Sequence, residues 1–198
     1  MSMDKTRIYI IGVGGQGTLM ATALIGQAAL LADSNANLSE IHGMAQRGGI
    51  VESAVTLGNL KSPMVSEGEA DILLGFEPCE TIRAAKRCSS KTVVITNSVP
   101  LQPFTVSTGK EEYPDIGPSL EKMEKRVKKL MKLDANARAR EAGSIVSLNI
   151  VMLGALARYG DLPFTADHLR KAIKENTKAK FQDMNLKAFE LGYGLAEK

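Results

Sequence analysis

The sequence has no tryptophan, and aromatic residues make up only 5% of it, so a surface built to stack on bases is not expected. Cysteine is nearly absent. Cys79 and Cys88 are the only two, and they do not form a C-x-x-C pair. Two thiols cannot supply the four thiolates of an ordinary iron–sulfur cluster. Histidine is equally scarce, with His42 and His168 far apart in the chain. No H-x-x-x-H, G-x-S-x-G or G-K-[ST] occurs, so zinc-protease, serine-hydrolase and P-loop chemistry lose their usual signatures. No stretch of about 18 consecutive apolar residues exists to cross a membrane. There is no large excess of either charge: 25 basic and 22 acidic residues leave a net charge of +3, which calls for neither nucleic acid nor an acidic membrane as partner. The first residues run straight into the strand-like Ile8-Tyr9-Ile10-Ile11 without an apolar leader. A reduced, cytoplasmic location is the simplest expectation.

What remains is an ordinary globular composition: 198 residues, 44% hydrophobic and 24% charged. Arg7–Ile11 reads as a buried strand, followed by Gly12-Val13-Gly14-Gly15-Gln16-Gly17 and a helix to about Ala32. Asp33-Ser34-Asn35 breaks that helix, and Ala36–Ile41 returns as a strand. His42–Gly49, with three glycines, is a loop. Ile50–Leu57, Asp71–Phe76 and Thr92–Thr96 read as further strands, with a short helix at Glu80–Lys86 and a possible strand at Phe104–Ser107. Past residue 118 the pattern turns helical. Leu120, Met123, Val127 and Leu130 recur at helix spacing with charged residues between them, a pattern that reads as a solvated helix face. Ser144–Tyr159 is apolar almost all round, so it lies in the core or under another subunit. Two more helices follow, at Thr165–Asn176 and Lys178–Leu195. The expectation is one α/β domain over residues 1–198: three layers, α/β/α, with a Rossmann-like, mostly parallel sheet and a helical tail from about 118 to 198.

The strand–glycine turn–helix unit carries the first functional signal. Glycines at 12, 14 and 17 satisfy G-x-G-x-x-G, a turn that brings backbone N–H groups and a helix start close to an anion. A nicotinamide or flavin site needs in addition an acidic residue about 20 residues on to hold the ribose. Glu40 is the only candidate. Another anionic ligand, or a turn that merely permits close packing, satisfies the same pattern. Arg47, between glycines, suits bidentate capture of phosphate or carboxylate, and it equally suits locking of its own loop. Cys79 stands near a helix start, where a thiol pKa can fall, although a buried or tolerated thiol is the plainer reading.

Four segments together resemble one family: the turn Gly12–Gly17, the stretch Glu40–Gly49 (EIHGMAQRGG), the pair Ser62-Pro63, and Ala70–Ala84 (ADILLGFEPCETIRA). The chain resembles the gamma-type subunit or domain of 2-oxoacid:ferredoxin oxidoreductases. Its HGMAQRGG loop and the tail segments LNIVMLGA and LPF are most similar to the small-subunit branch that serves indolepyruvate. The resemblance implies an accessory subunit without a reaction centre of its own. A large alpha subunit is then expected to carry thiamine diphosphate and the iron–sulfur clusters, since this chain lacks both cluster-type cysteines and a G-D-G…N-N pattern. The complex would decarboxylate a 2-oxoacid, pass electrons to ferredoxin and transfer the acyl group to coenzyme A.

The resemblance also implies a hetero-oligomer, with two copies of each subunit suggested. Gly14, Gly15, Gln16 and Gly17 are expected to gather with His42, Gln46 and Arg47 at the carboxyl ends of the strands, where ligands of open α/β sheets collect. Coenzyme A phosphates or the partner subunit would occupy that face. Two competing readings stand beside this one: an independent NAD(P)-dependent dehydrogenase using Glu40, and a small-ligand sensor unconnected to redox work.

Overall fold

The computed structural model describes residues 5–42, 49–102, 106, 109 and 112–195. Six strands form one sheet: β1 (Lys5–Val13), β2 (Ala36–His42), β3 (Ile50–Gly58), β4 (Ala70–Gly75), β5 (Cys88–Asn97) and β6 (Lys129–Leu133). Their order across the sheet is β2-β3-β1-β4-β5-β6. β1, β4, β5 and β6 run parallel. β3 runs against both of its neighbours, closing a hairpin with β2. The sheet is therefore mostly parallel, as the sequence led us to expect.

Alternation along the strands makes the layers. Ile8, Ile10, Ile72, Leu74, Val93 and Ile95 join one buried cluster, while Tyr9, Ile11, Leu73 and Val94 point the other way into a second. The first cluster is covered by α1 (Thr18–Leu31), α4 (Ala135–Ala142), α5 (Leu148–Tyr159), α6 (Ala166–Asn176) and α7 (Gln182–Tyr193). The second is covered by α2 (Pro78–Arg83), the 3₁₀ turn Ala84–Arg87 and α3 (Gly117–Glu124). Among the described residues, no helix is long and apolar enough to cross a membrane.

The greater part of the all-apolar segment proves to be core: Leu148 through Leu156 are buried without exception, whereas Ile145 and Val146 at its start are exposed. α5 meets α7 backbone to backbone. A β-carbon on Gly154 would stand 2.1 Å from the Phe189 carbonyl oxygen, and one on Gly192 would stand 2.0 Å from that of Val151. Only glycine permits this approach.

Several boundaries differ from the sequence reading: β5 begins at Cys88 rather than Thr92, and the helix expected at Glu80–Lys86 is α2 followed by the 3₁₀ turn Ala84–Arg87. The expected helix through Leu130 stops at Glu124, and Lys129–Leu133 is an edge strand in register with Val93–Asn97. Leu120 and Met123 do sit on one helix face, but the open hydrogen-bonding edge of β5 claims Leu130 for the sheet, as tertiary context overrides local spacing. Ser144 caps a 3₁₀ turn at Ile145–Ser147, so α5 begins only at Leu148. Likewise α7 begins at Gln182, after a 3₁₀ turn at Ala179–Phe181. The strand expected at Phe104–Ser107 lies, Val106 apart, outside the described residues.

Candidate functional site

The carboxyl ends of β1, β4 and β5 converge on the glycine turn. Gly15 and Gly17 have φ of +102° and +79°, a backbone open to glycine at little cost. Gly17 is the N-cap of α1, where no side chain caps the helix and no acidic residue occupies the first turn. Among the described residues, and apart from its own chain neighbours, nothing lies within 4 Å of where a Gly15 β-carbon would be. The helix start thus presents N–H groups and a partial positive charge to an accessible space.

The hairpin loop begins and ends beside this turn. The Gly14 N–H donates to the Gly49 carbonyl at 2.8 Å, and His42 ends β2 opposite Val51. Of the predicted set, Gly14, Gly15, Gln16 and Gly17 are contiguous here, and the backbone of His42 closes the adjoining strand. Gln46 and Arg47 lie outside the described residues. Gln16 spends its amide internally: its Oε1 accepts from the Val13 N–H at 2.8 Å, and its Nε2 donates to the Phe76 carbonyl at 3.0 Å. It ties the end of β1 to the end of β4.

Three residues that the sequence reading did not single out complete this edge. Asn97, fully buried, donates to the Phe76 carbonyl at 3.2 Å and to Asn136 Oδ1 at 3.0 Å, and accepts from the Ala135 N–H at 3.1 Å. Glu77 is 2% exposed. Its Oε2 accepts from the Glu80 N–H at 2.9 Å, and its Oε1 accepts from the Leu101 N–H at 3.3 Å and from the Tyr113 hydroxyl. Asn149, on the first turn of α5, donates to the Gly17 carbonyl at 3.4 Å. A signal for Glu77 existed: Glu-Pro after a strand is an N-cap followed by proline at the first helical position. Asn97 and Asn149 sit in apolar runs and carry no comparable sign.

The electrostatics do not describe an acid–base pair. Burial pushes the Cys79 thiol up, and Glu77 and Glu80 push it further against the opposing pull of Arg83. The lowered thiol that a helix start permits is not realised. Burial likewise raises Glu80, with Arg83 opposing, and raises Tyr113, which Glu77 reinforces. His168 is remote from this edge; its Nδ1 accepts from the Thr165 N–H at 3.1 Å at the start of α6. Among the described residues, no group of three or more His, Cys, Asp and Glu is placed to hold a metal ion, and the two cysteines of the sequence are fewer than the four thiolates of an ordinary iron–sulfur cluster.

The dinucleotide reading of the turn fails on topology. A ribose-binding acid belongs at the end of a strand lying parallel and next to β1. Here β3 lies between β1 and β2, antiparallel to both, and Glu40 is exposed opposite Ser53, two strands from the turn. The NAD(P) alternative is not supported.

A model of the family described as pyruvate ferredoxin/flavodoxin oxidoreductase matches residues 7–195. The chain belongs to this family. Within it, the chain is 38% identical over 192 residues to the indolepyruvate oxidoreductase subunit IorB of Archaeoglobus fulgidus, covering 97% of this chain and 96% of that one. It is 39% identical over 189 residues to the IorB subunit of Methanothermobacter thermautotrophicus, covering 96% of each. Identity falls to 26%, over 98% of this chain and 95% of the relative, for the 2-oxoglutarate synthase subunit KorC of Methanocaldococcus jannaschii. The fold matches the pyruvate oxidoreductase subunit PORC of Thermotoga maritima with a TM-score of 0.72 at 20% identity, over 96% of each chain. It also matches 32% of a 2-oxoglutarate:ferredoxin oxidoreductase chain from Magnetococcus marinus, over 100% of this chain, with a TM-score of 0.74 at 18% identity. That enzyme was solved with 2-oxoglutarate, coenzyme A and succinyl-CoA bound. Structural likeness at these identities concerns the fold.

Proposed function

We propose that this chain is the small, accessory subunit of an indolepyruvate:ferredoxin oxidoreductase, inactive alone and completed by a large alpha subunit. The observation that carries this is the step in similarity: 38–39% identity to indolepyruvate oxidoreductase subunits over nearly the whole chain, against 25–26% to the pyruvate/ketoisovalerate and 2-oxoglutarate relatives. In this reading the partner carries thiamine diphosphate and the iron–sulfur clusters, which supply decarboxylation and single-electron transfer. Ferredoxin accepts the electrons and coenzyme A takes the aryl acyl group. The free thiols of Cys79 and Cys88 suit a reduced cytoplasm. Residues 1–198 act as one domain, a reading supported by a core in which β1, β4 and β5 share one cluster with α5, α6 and α7.

This chain's contribution is the carboxyl edge of its sheet. The start of α1, uncapped by any side chain among the described residues, and the space those residues leave over Gly15 suit a phosphate of coenzyme A. The Gly14 N–H held by the Gly49 carbonyl joins the turn to the start of β3, and the guanidinium of Arg47, two residues before Gly49 in the sequence, suits pairing with phosphate or with a partner carboxylate. Co-expression with the large-subunit gene tests the assignment. The purified complex should reduce ferredoxin with indolepyruvate and coenzyme A, with pyruvate and 2-oxoglutarate as poor substrates. A small subunit that neither co-purifies with the large one nor changes its turnover defeats it.

A further inference from the structure

The basic stretch around α3, which the sequence presents as a solvated helix face, borders a groove. Between the α2–3₁₀ segment on one side and α3 on the other lies a cavity of about 530 Å³. Ile82, Met123 and Val127 form its apolar wall, and Cys88, at the start of β5, forms part of the lining. Lys86, Lys122 and Arg126 also line it, and among the described residues no acidic residue does. Lys86 meets Glu67 at 3.5 Å. The side chains of Lys122 and Arg126 form no ion pair among the described residues. Cys88 pairs with Ala70 at the amino ends of β4 and β5, so the groove lies at the opposite end of the strands from the glycine turn.

We propose that this groove binds a small amphipathic anion, a carboxylate carrying an aryl or alkyl body. Lys86 is already answered by Glu67, but Lys122 and Arg126 face the same cleft without an acidic partner among the described residues. A negative charge placed there is attracted by both, and the apolar wall gains from covering by a nonpolar body. The volume falls in the range of small-ligand sites, about 300–1,000 Å³. A phosphate alone would leave the half-buried Ile82 and Val127 uncovered, and an uncharged hydrocarbon would leave Lys122 and Arg126 unanswered. The site is independent of the proposed subunit role.

The test uses the full chain with 1-anilinonaphthalene-8-sulfonate as probe and octanoate as competitor. The probe should bind saturably and be displaced by octanoate, while octanol at the same concentration should not displace it. The double variant Lys122→Ser/Arg126→Ser, with unchanged circular dichroism, should bind the probe at least ten-fold more weakly. A readout on the unaltered protein stands beside this: saturating octanoate should slow alkylation of Cys88 at pH 9 about five-fold and leave Cys79 unaffected. Unchanged probe affinity in the folded double variant overturns the proposal. So does equal displacement by octanol, or a Cys88 rate indifferent to octanoate. Unchanged probe binding together with weaker association of the large subunit would assign the cations to a protein contact instead.

Discussion

The Asn149 side chain closes over Gly17: its Nδ2 is 2.8 Å from where a β-carbon on Gly17 would stand, and it donates to the Gly17 carbonyl at 3.4 Å. This pair joins the start of α1 to the start of α5 within the same helical layer, across 132 residues of chain. Gly17→Ala therefore meets two obstacles at once, a φ of +79° and a buried amide. The left-handed conformation alone costs a non-glycine residue about 1–2 kcal/mol. Urea unfolding should show Gly17→Ala destabilised by about 2–4 kcal/mol, and Asn149→Ala in the same chain should recover part of that loss. Full additivity of the two substitutions would mean that the contact is not coupled.

Glu77 is the second anchor of this edge, and its chemistry is unforgiving because both oxygens accept hydrogen bonds while nearly excluded from water. Glu77→Gln keeps the shape but turns an N–H₂ group toward a donor, whichever way the amide is placed. Loss of about 2–3 kcal/mol is expected, since charged hydrogen bonds are the stronger kind and the carboxylate that accepts them is buried. Tyr113→Phe, which removes one donor of three, should cost about 1 kcal/mol. If Glu77→Gln unfolds at the wild-type urea midpoint, the carboxylate is not an anchor.

The sequence made the alternation of Ile8, Tyr9, Ile10 and Ile11 legible, and with it a two-faced buried strand. It also made the helix break at Asp33 and the burial of α5 legible, because each depends on a local pattern strong enough to survive any tertiary context. β6 was hidden for the converse reason: five residues carry little pattern, and only the vacant edge of β5 tells Lys129–Leu133 to extend. The site divides in the same way. Glycines at fixed offsets announce the turn, whereas Gln16, Asn97 and Asn149 act through partners 60, 21 and 132 residues away. No local reading reveals that Gln16 bridges two strand ends.

Glu80 should leave a mark on the pH dependence of stability. Burial raises its carboxyl, Arg83 opposes through a 2.8 Å contact to Oε1, and Glu77 and Glu52 add to the rise. Its Oε2 has no hydrogen-bond partner among the described residues. A carboxyl raised in the folded state binds its proton more tightly there than in the unfolded chain. Its contribution is therefore full below the ordinary glutamate value of about 4.3 and is lost as pH climbs through the raised one. Glu80→Gln removes that slope. Urea midpoints taken between about pH 4 and pH 7 should show the variant gaining on wild type as pH rises. A constant difference would place the Glu80 carboxyl at its ordinary value.

The thiols should be sluggish. Burial pushes Cys88 up to about 12, with Thr92 opposing, and Cys79 is raised as well. The thiolate is the reactive form, so iodoacetamide at neutral pH should modify both more slowly than free cysteine, and Cys88 more slowly than Cys79. In denaturant the two should react alike. Rapid modification of Cys79 in the folded protein would reopen a nucleophilic role for it.

The decisive test of the carboxyl edge concerns Arg47, the one arginine or lysine of the loop His42–Gly49. Glycines at 43, 48 and 49 cost this loop up to about 1 kcal/mol each relative to alanine where backbone freedom is lost, a cost tolerated when the shape serves packing or function. A solvated arginine without a partner changes stability by no more than about 0.5 kcal/mol when removed. One paired with phosphate or carboxylate contributes about 1.5–3 kcal/mol through charged hydrogen bonds, equivalent to roughly ten- to a hundred-fold in affinity. Arg47→Ala in the reconstituted complex should therefore lower turnover ten-fold or more while the isolated chain stays folded. The Michaelis constant for coenzyme A and the subunit dissociation constant, measured side by side, separate the two partners. A rise in the first alone assigns Arg47 to coenzyme A, and a rise in the second alone assigns it to the large subunit. If neither moves and the melting temperature falls by several degrees, the guanidinium only braces its own loop, and the ligand-facing surface must be sought elsewhere along the strand ends.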